Sequence, residues 1–186
     1  MRFCPQCGLL YQEGHKICPL DGERLETRVD PFLGRILAGK YRIVELIGEG
    51  GIGRVYRARH VHMDLTVAVK ILADDASADP DVKERFIREA RAADMVRHEH
   101  IIEILDLGET DEGMPYMIME LLEGVGLEIL VGKSAFPLHR AVNVMRQVCS
   151  VLGPTHAMGI VHRDLKPENI FLIEKDGMND YVKVLD

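Results

Sequence analysis

Residues 162–169 read His162-Arg163-Asp164-Leu165-Lys166-Pro167-Glu168-Asn169. A carboxylate, an ammonium and an amide stand at fixed offsets, at Asp164, Lys166 and Asn169. Asp164 can accept the proton of a hydroxyl. Lys166 can neutralise a phosphoryl group in transit. Asn169 can give an oxygen to a metal ion. Phosphoryl transfer sets those three tasks, because its transition state is chiefly charge to be positioned and screened. A charged loop after a helix is the plain alternative, but chance rarely spaces all three groups in so short a run.

Upstream of this run, Val142, Met145, Cys149 and Leu152 recur at helical spacing within Leu138–Leu152. That stripe puts Cys149 in a core rather than in a reactive or metal-binding role. Gly153-Pro154 follows. A proline inside a helix costs about 3 kcal/mol, so the helix is expected to kink or stop there. His156 and His162 flank the turn and are expected to satisfy backbone groups. Downstream, Ile170–Ile173 and Tyr181–Leu185 read as paired strands around an Asp176-Gly177 turn. Asp186 comes directly after.

Further upstream, a β-type run from Tyr41 to Ile47 leads into Gly48-Glu49-Gly50-Gly51-Ile52-Gly53, and a second run follows from Val55 to Arg59. Dinucleotide folds also use G-x-G-x-x-G, but between a strand and a helix. Here the glycines lie between two strands. Without a Cβ, their amides can approach phosphates closely. Val67-Ala68-Val69-Lys70 brings a lysine out of an apolar strand, which is costly unless it meets an anion. Asp79-Pro80 reads as an N-cap and first helical position. Val82, Phe86, Ile87, Ala90 and Ala93 then give a helical stripe that carries Glu89. Ile101–Leu107 and Tyr116–Met119 read as two further strands, ending in Met119-Glu120-Leu121-Leu122.

Together these elements resemble the protein kinase family, and a lysine two residues after Asp164 resembles its serine/threonine branch. The wording of the loops resembles bacterial members. The resemblance implies an α+β fold: an N-lobe of five antiparallel strands plus the αC helix, then the start of a helical C-lobe. It implies ATP and Mg²⁺ as cofactors and the Ser/Thr hydroxyls of a protein as substrate. Asp164 would be the base and Lys166 would face the γ-phosphoryl. Lys70, paired with Glu89, would hold the α- and β-phosphates. Gly48, Gly50 and Gly53 would cover the phosphates, and Val55 and Ala68 would line the adenine pocket. Met119 would be the gatekeeper, with the Glu120 carbonyl and Leu122 amide on the adenine edge. Asn169 and Asp186, the latter as the Asp of D-F-G, would hold Mg²⁺. The resemblance covers residues 41–186, so the expectation is an incomplete kinase domain, inactive alone. A non-catalytic nucleotide-binding module, or an interaction module built on the N-terminal segment, is the alternative.

That N-terminal segment carries a repeat: Cys4-Pro5-Gln6-Cys7-Gly8, then Cys18-Pro19-Leu20-Asp21-Gly22. A C-x-x-C turn aims two sulfurs at one point, and two facing turns make a tetrahedral site. The segment resembles a zinc ribbon with Asp21 where the fourth cysteine would stand. His15 is the rival fourth ligand. So short a segment cannot bury a core of its own, and zinc would have to hold it. The expected organisation is a module at 1–22, a polar linker at 23–40 and the kinase-like domain at 41–186.

Composition agrees with this reading. Hydrophobic residues are 47% of 186, enough for a packed core. Lys plus Arg is 23 and Asp plus Glu is 30, and 23 − 30 gives −7. That balance, with no basic block, argues against nucleic acid or anionic membrane as the main partner. Apolar runs are too short to span a bilayer. Met1-Arg2-Phe3-Cys4 opens straight into the cysteine motif, with no signal peptide visible. Clustered cysteines without a secreted disulfide pattern point to a cytoplasmic metal site. A membrane anchor encoded downstream stays open.

Overall fold

The structure, a computed structural model, describes every residue except Met1, Gly8, Gln12, Glu13, Arg28, Val29, Ser134 and Asp186. The chain divides into two compact units, Met1–Leu33 and Gly34–Asp186.

In the first unit, β1 (Arg2–Phe3), β2 (Leu10–Tyr11) and β3 (Glu26–Thr27) form an antiparallel sheet in the order β2-β1-β3. Two turns are closed alike. The Cys4 amide donates to Leu9 O at 3.0 Å, and the Cys18 amide to Glu23 O at 2.7 Å. Cys4, Cys18 and Leu25 are buried together, with Tyr11 packed against them. β3 lies in the stretch that reads as linker from its polarity.

The second unit holds a sheet of β4 (Ile36–Leu37), β5 (Tyr41–Gly50), β6 (Gly53–His60), β7 (Thr66–Leu72), β8 (Ile104–Glu109) and β9 (Pro115–Glu120). Their order is β4-β5-β6-β7-β9-β8, and every neighbouring pair is antiparallel. The five expected strands are present, and β4 adds a short sixth at the edge. A short helix α1 (Asp74–Ser77) precedes α2 (Pro80–Val96). Asp79 caps α2, its side chain accepting from the Asp81 amide at 2.9 Å, with Pro80 in the first turn. Phe86 and Ala90 of α2 pack on Ala68, Leu72, Met117 and Met119 of the sheet. Each large apolar side chain buried this way contributes about 1.5–3 kcal/mol.

Residues 121–123 lead from β9 into β10 (Gly124–Gly126), then α3 (Leu127–Lys133) and α4 (Leu138–Ala157). β10 pairs with β11 (Ile170–Lys175), which pairs with β12 (Met178–Val184). Val144, Val148 and Val151 of α4 pack on Ile170, Leu172, Val182 and Val184.

Two expectations about α4 are corrected. The buried stripe is Val144, Val148, Val151 and Thr155, while Val142, Met145 and Cys149 are exposed. The helical period is the one read from the sequence, but the stripe is turned by one residue, about 100° around the axis. Apolar residues occupy both neighbouring stripes, and only packing selects between them. Nor does the helix stop at Gly153-Pro154. Pro154 lies within it, near its end. The ring removes one main-chain donor, and the buried Thr155 adds a bond of its own from its hydroxyl to Val151 O at 2.6 Å. Among the described residues, no helix is long and apolar enough to cross a membrane.

Candidate active site

The loop between α4 and β11 is fastened to the end of β12. The Leu185 amide donates to Asn169 O at 2.9 Å. His162 Nε2 lies 3.1 Å from Leu185 O, so this histidine does satisfy a backbone group. A 3₁₀ turn over Pro167–Asn169 then brings Asn169 back toward Asp164. Arg163 has a φ of 65°, a left-handed conformation uncommon for a residue with a side chain and often found at functional sites.

Three predicted residues meet as a result. Lys166 Nζ lies 2.8 Å from Asp164 Oδ2. Asn169 Nδ2 donates to Asp164 O at 2.9 Å and to its Oδ2 at 3.1 Å. The Lys166 ammonium holds the Asp164 carboxyl below the usual aspartate range, and Asp164 raises Lys166 in return. Both contacts of Asn169 use the amide nitrogen, which leaves the amide oxygen as a metal donor. The Asp164 and Lys166 side chains are open to solvent, so an incoming group can reach them.

The glycine run forms the turn between β5 and β6, where Gly50 pairs with Gly53. Across the turn Arg54 Nε donates to Glu49 Oε1 at 2.9 Å. A Cβ on Gly53 would stand 2.4 Å from Ile71 O, so the fold itself demands this glycine. A Cβ on Gly50 would meet nothing within 4 Å, and one on Gly48 only Val55 at 3.7 Å. Packing does not require these two.

Register places the other predicted nucleotide contacts side by side. Val55 lies opposite Lys70, Lys70 opposite Met117, and Ala68 opposite Met119. Lys70, Ala68 and Met119 are buried. Leu122 is partly buried against the same cluster. α2 packs through Phe86 and Ala90, a phase that leaves Glu89 exposed. Asp186 lies outside the described residues.

Two features were not foreseen. Lys183 of β12 is buried and reaches Glu120 Oε1 at 2.5 Å and Ile101 O at 3.2 Å. Glu120 also accepts from the Glu103 amide at 2.8 Å. The end of β9 is thereby tied to β12. The signal was there: a lysine inside the apolar run Tyr181-Val182-Lys183-Val184 is the same anomaly as Lys70. The second feature is an apolar cavity of about 130 Å³ lined by Glu89, Ala93, Met117, Val151, His162 and Leu185 among others. It joins α2, α4 and the end of β12, and no local pattern announces it.

The first unit has its own cluster. One ligand atom from each of Cys4, Cys7, Cys18 and Asp21 lies within 4.8 Å of the others. The Cys7 and Cys18 sulfurs are 3.6 Å apart. Burial pushes the Cys4 thiol up to about 11. Asp21 is held down to about 2, above all by its hydrogen bond with Cys18. His15 is exposed, beside the Tyr11 ring at 6.1 Å between centroids, and is not part of the group.

Residues 41–186 match the protein kinase domain family. Pkn1, a serine/threonine-protein kinase of Myxococcus xanthus, is 44% identical over 157 residues, which cover 84% of this chain and 22% of that protein. PrkC, a serine/threonine-protein kinase of Bacillus subtilis, is 40% identical over 83% of this chain and 23% of its own length. The chain thus spans less than a third of the length of the curated relatives it matches. The crystal structure of the PknI kinase domain from Mycobacterium tuberculosis superimposes with a TM-score of 0.70 at 28% identity, covering 82% of this chain and 61% of that one. The chain belongs to the protein kinase family.

Proposed function

We propose that this domain transfers the γ-phosphoryl group of ATP to Ser or Thr hydroxyls of a protein substrate. The observation that carries the reading is the contact of Asp164, Lys166 and Asn169 in a solvent-open loop. Asp164 accepts the substrate hydroxyl as a hydrogen bond and takes its proton. A carboxyl held low by Lys166 is a weak base, so its main contribution is orientation, and proximity of that kind is worth far more than basicity here. Lys166 screens the moving phosphoryl group. Gly48, Gly50 and Gly53 present backbone to the phosphates, and Lys70 holds them. Val55, Ala68 and Met119 enclose the adenine, while the Glu120 carbonyl and Leu122 amide read its edge. Family membership implies Mg²⁺, which when bound neutralises charge on the phosphates, and Asn169 with Asp186 would hold it. Glu89 of α2 is the residue assigned to pair with Lys70. ATP use and unpaired cysteines go with a cytoplasmic location.

The test is phosphate transfer from radiolabelled ATP by the protein that carries this domain. Asp164→Asn is expected to slow it by roughly 10²–10⁴-fold, and Lys70→Met to cripple it through lost phosphate alignment. Wild-type transfer by both variants would refute the site.

We also infer that the segment 1–22 is a zinc-held module, joined by the stretch 23–40 to the kinase domain. Three thiols and a carboxylate within 4.8 Å support this reading. Elemental analysis of chain purified without chelator is expected to find one zinc. Less than about a tenth of an equivalent would refute it, since structural sites retain their metal.

A further inference from the structure

The zinc reading leaves the fourth ligand open, and the structure goes further. The two halves of the repeat are closed by the same hydrogen bond, from the first cysteine amide to the carbonyl five residues on: Cys4 to Leu9 at 3.0 Å and Cys18 to Glu23 at 2.7 Å. Cys7 and Asp21 therefore occupy equivalent places in two equivalent turns. A change of residue type at one of them alters the donor atom without moving the site.

The distances suit a metal with one oxygen donor. With Zn–S about 2.3 Å and Zn–O about 2.0 Å, a tetrahedron has edges of about 3.8 Å between sulfurs and about 3.5 Å between sulfur and oxygen. Cys7 and Cys18 sulfurs are 3.6 Å apart, and Cys4 Sγ is 3.2 Å from Asp21 Oδ2. The two carboxylate oxygens are not equivalent. Both stand near the ideal edge from Cys4, Oδ1 at 3.4 Å and Oδ2 at 3.2 Å, and the difference is that Oδ1 accepts the Glu23 amide at 3.0 Å. The backbone thus fixes one oxygen and presents the other.

A further group touches the cluster. Tyr11 Oη lies 3.1 Å from Cys18 Sγ. Once Cys18 is a thiolate, only the phenol can donate. Three thiolates and a carboxylate around a divalent ion leave a net charge of about −2, counted from the ligand charges that metal binding requires. A hydroxyl donating to one sulfur offsets part of it, the role that outer partners play at metal sites.

We propose that Asp21 is the fourth zinc ligand, binding through Oδ2 while Oδ1 stays on the Glu23 amide, and that the Tyr11 hydroxyl caps the Cys18 thiolate. This rests on the zinc reading. The result is a three-sulfur, one-oxygen centre, whose single hard ligand makes it release metal more readily than four thiolates would.

The experiment uses the whole chain, with zinc and with Co²⁺ as a coloured substitute, under competition from a chelator. Wild type is expected to bind one equivalent, with sulfur-to-cobalt charge-transfer absorption set by three thiolates. Asp21→Cys should tighten binding and raise that absorption by about a third, as a fourth thiolate joins. Asp21→Asn should weaken binding at least about tenfold, and Tyr11→Phe by roughly 10-fold with a shifted charge-transfer band. His15→Ala should match wild type. Metal bound equally by wild type and Asp21→Asn, or lost with His15→Ala, overturns the ligand assignment while the zinc reading stands. An unchanged cobalt spectrum in Asp21→Cys overturns it too, whatever happens to the folding of the asparagine variant. No metal in wild type defeats both.

Discussion

The loop around Asp164 and the cluster around Cys4 both gather groups that repel or attract strongly, yet they are held together in different ways. The loop is held from outside itself. Val144, Val148 and Val151 pack on β11 and β12, β12 ends in Leu185, and Leu185 is bonded to both His162 and Asn169. Its charged side chains stay in solvent and add little stability of their own. At the cluster, the described residues buried together are Cys4, Cys18 and Leu25, with Tyr11 packed against them, so two of these three are themselves candidate donors. One site is arranged by a core; on the zinc reading, the other would become a core only when its metal binds.

Metal removal tests that contrast most severely. Structural zinc contributes about 10–16 kcal/mol to zinc-finger peptides, so on the zinc reading its removal should unfold the first unit. A strong chelator is expected to collapse the amide signals of β1, β2 and both turns in a two-dimensional NMR spectrum. Signals from β5 to β9 should persist. Loss of both sets together, or of neither, would break the contrast.

Within the kinase unit the glycines divide into one that the fold needs and others that it does not. Gly53→Ala forces a Cβ to within 2.4 Å of Ile71 O, and overpacking against backbone costs about 1–3 kcal/mol. Gly50→Ala meets open space and should change stability by less than about 0.5 kcal/mol. Urea denaturation of the two variants separates them. The same Gly50→Ala variant should still weaken ATP binding if the turn carries phosphates, and nucleotide titration reads that directly.

Much of this was legible in the sequence because the signals were local. The loop 162–169, the glycine turn, the Asp79-Pro80 cap and the Cys/Asp repeat each fit in a few residues, and each lies where its pattern puts it. What escaped depends on partners far along the chain. Cys149 reads as core because α4 carries apolar residues on two adjacent stripes, and only β11 and β12 decide which is buried. The Lys183–Glu120 pair joins residues 63 apart; a lysine in an apolar strand signals a partner without naming it. Glu89 is on the expected helix, but the rotation of α2 depends on how Phe86 and Ala90 seat on the sheet. β3 and β4 are too short to show a period.

The smallest effect concerns the loop alone and tests whether it is arranged before any ligand binds. Lys166 lies 2.8 Å from Asp164 and holds its carboxyl below the ordinary aspartate value. A group depressed in the folded state contributes stability above its unfolded pKa, and that contribution is lost as pH falls through the folded value. The window therefore lies below about pH 3.9, the ordinary aspartate pKa. At neutral pH Asp164 is ionised throughout. Solvent exposure and salt screening keep the contribution to stability small, so titration is a better probe than unfolding. The side-chain carboxyl carbon of Asp164, followed by NMR, should titrate below an ordinary aspartate. Lys166→Met should move that midpoint upward, and added salt should move it the same way in wild type but less in the variant. An Asp164 midpoint at the ordinary value in the unliganded chain would show that the contact with Lys166 is not formed in advance, and the loop would then need its ligand to take shape, as the zinc reading expects of the Cys4 cluster.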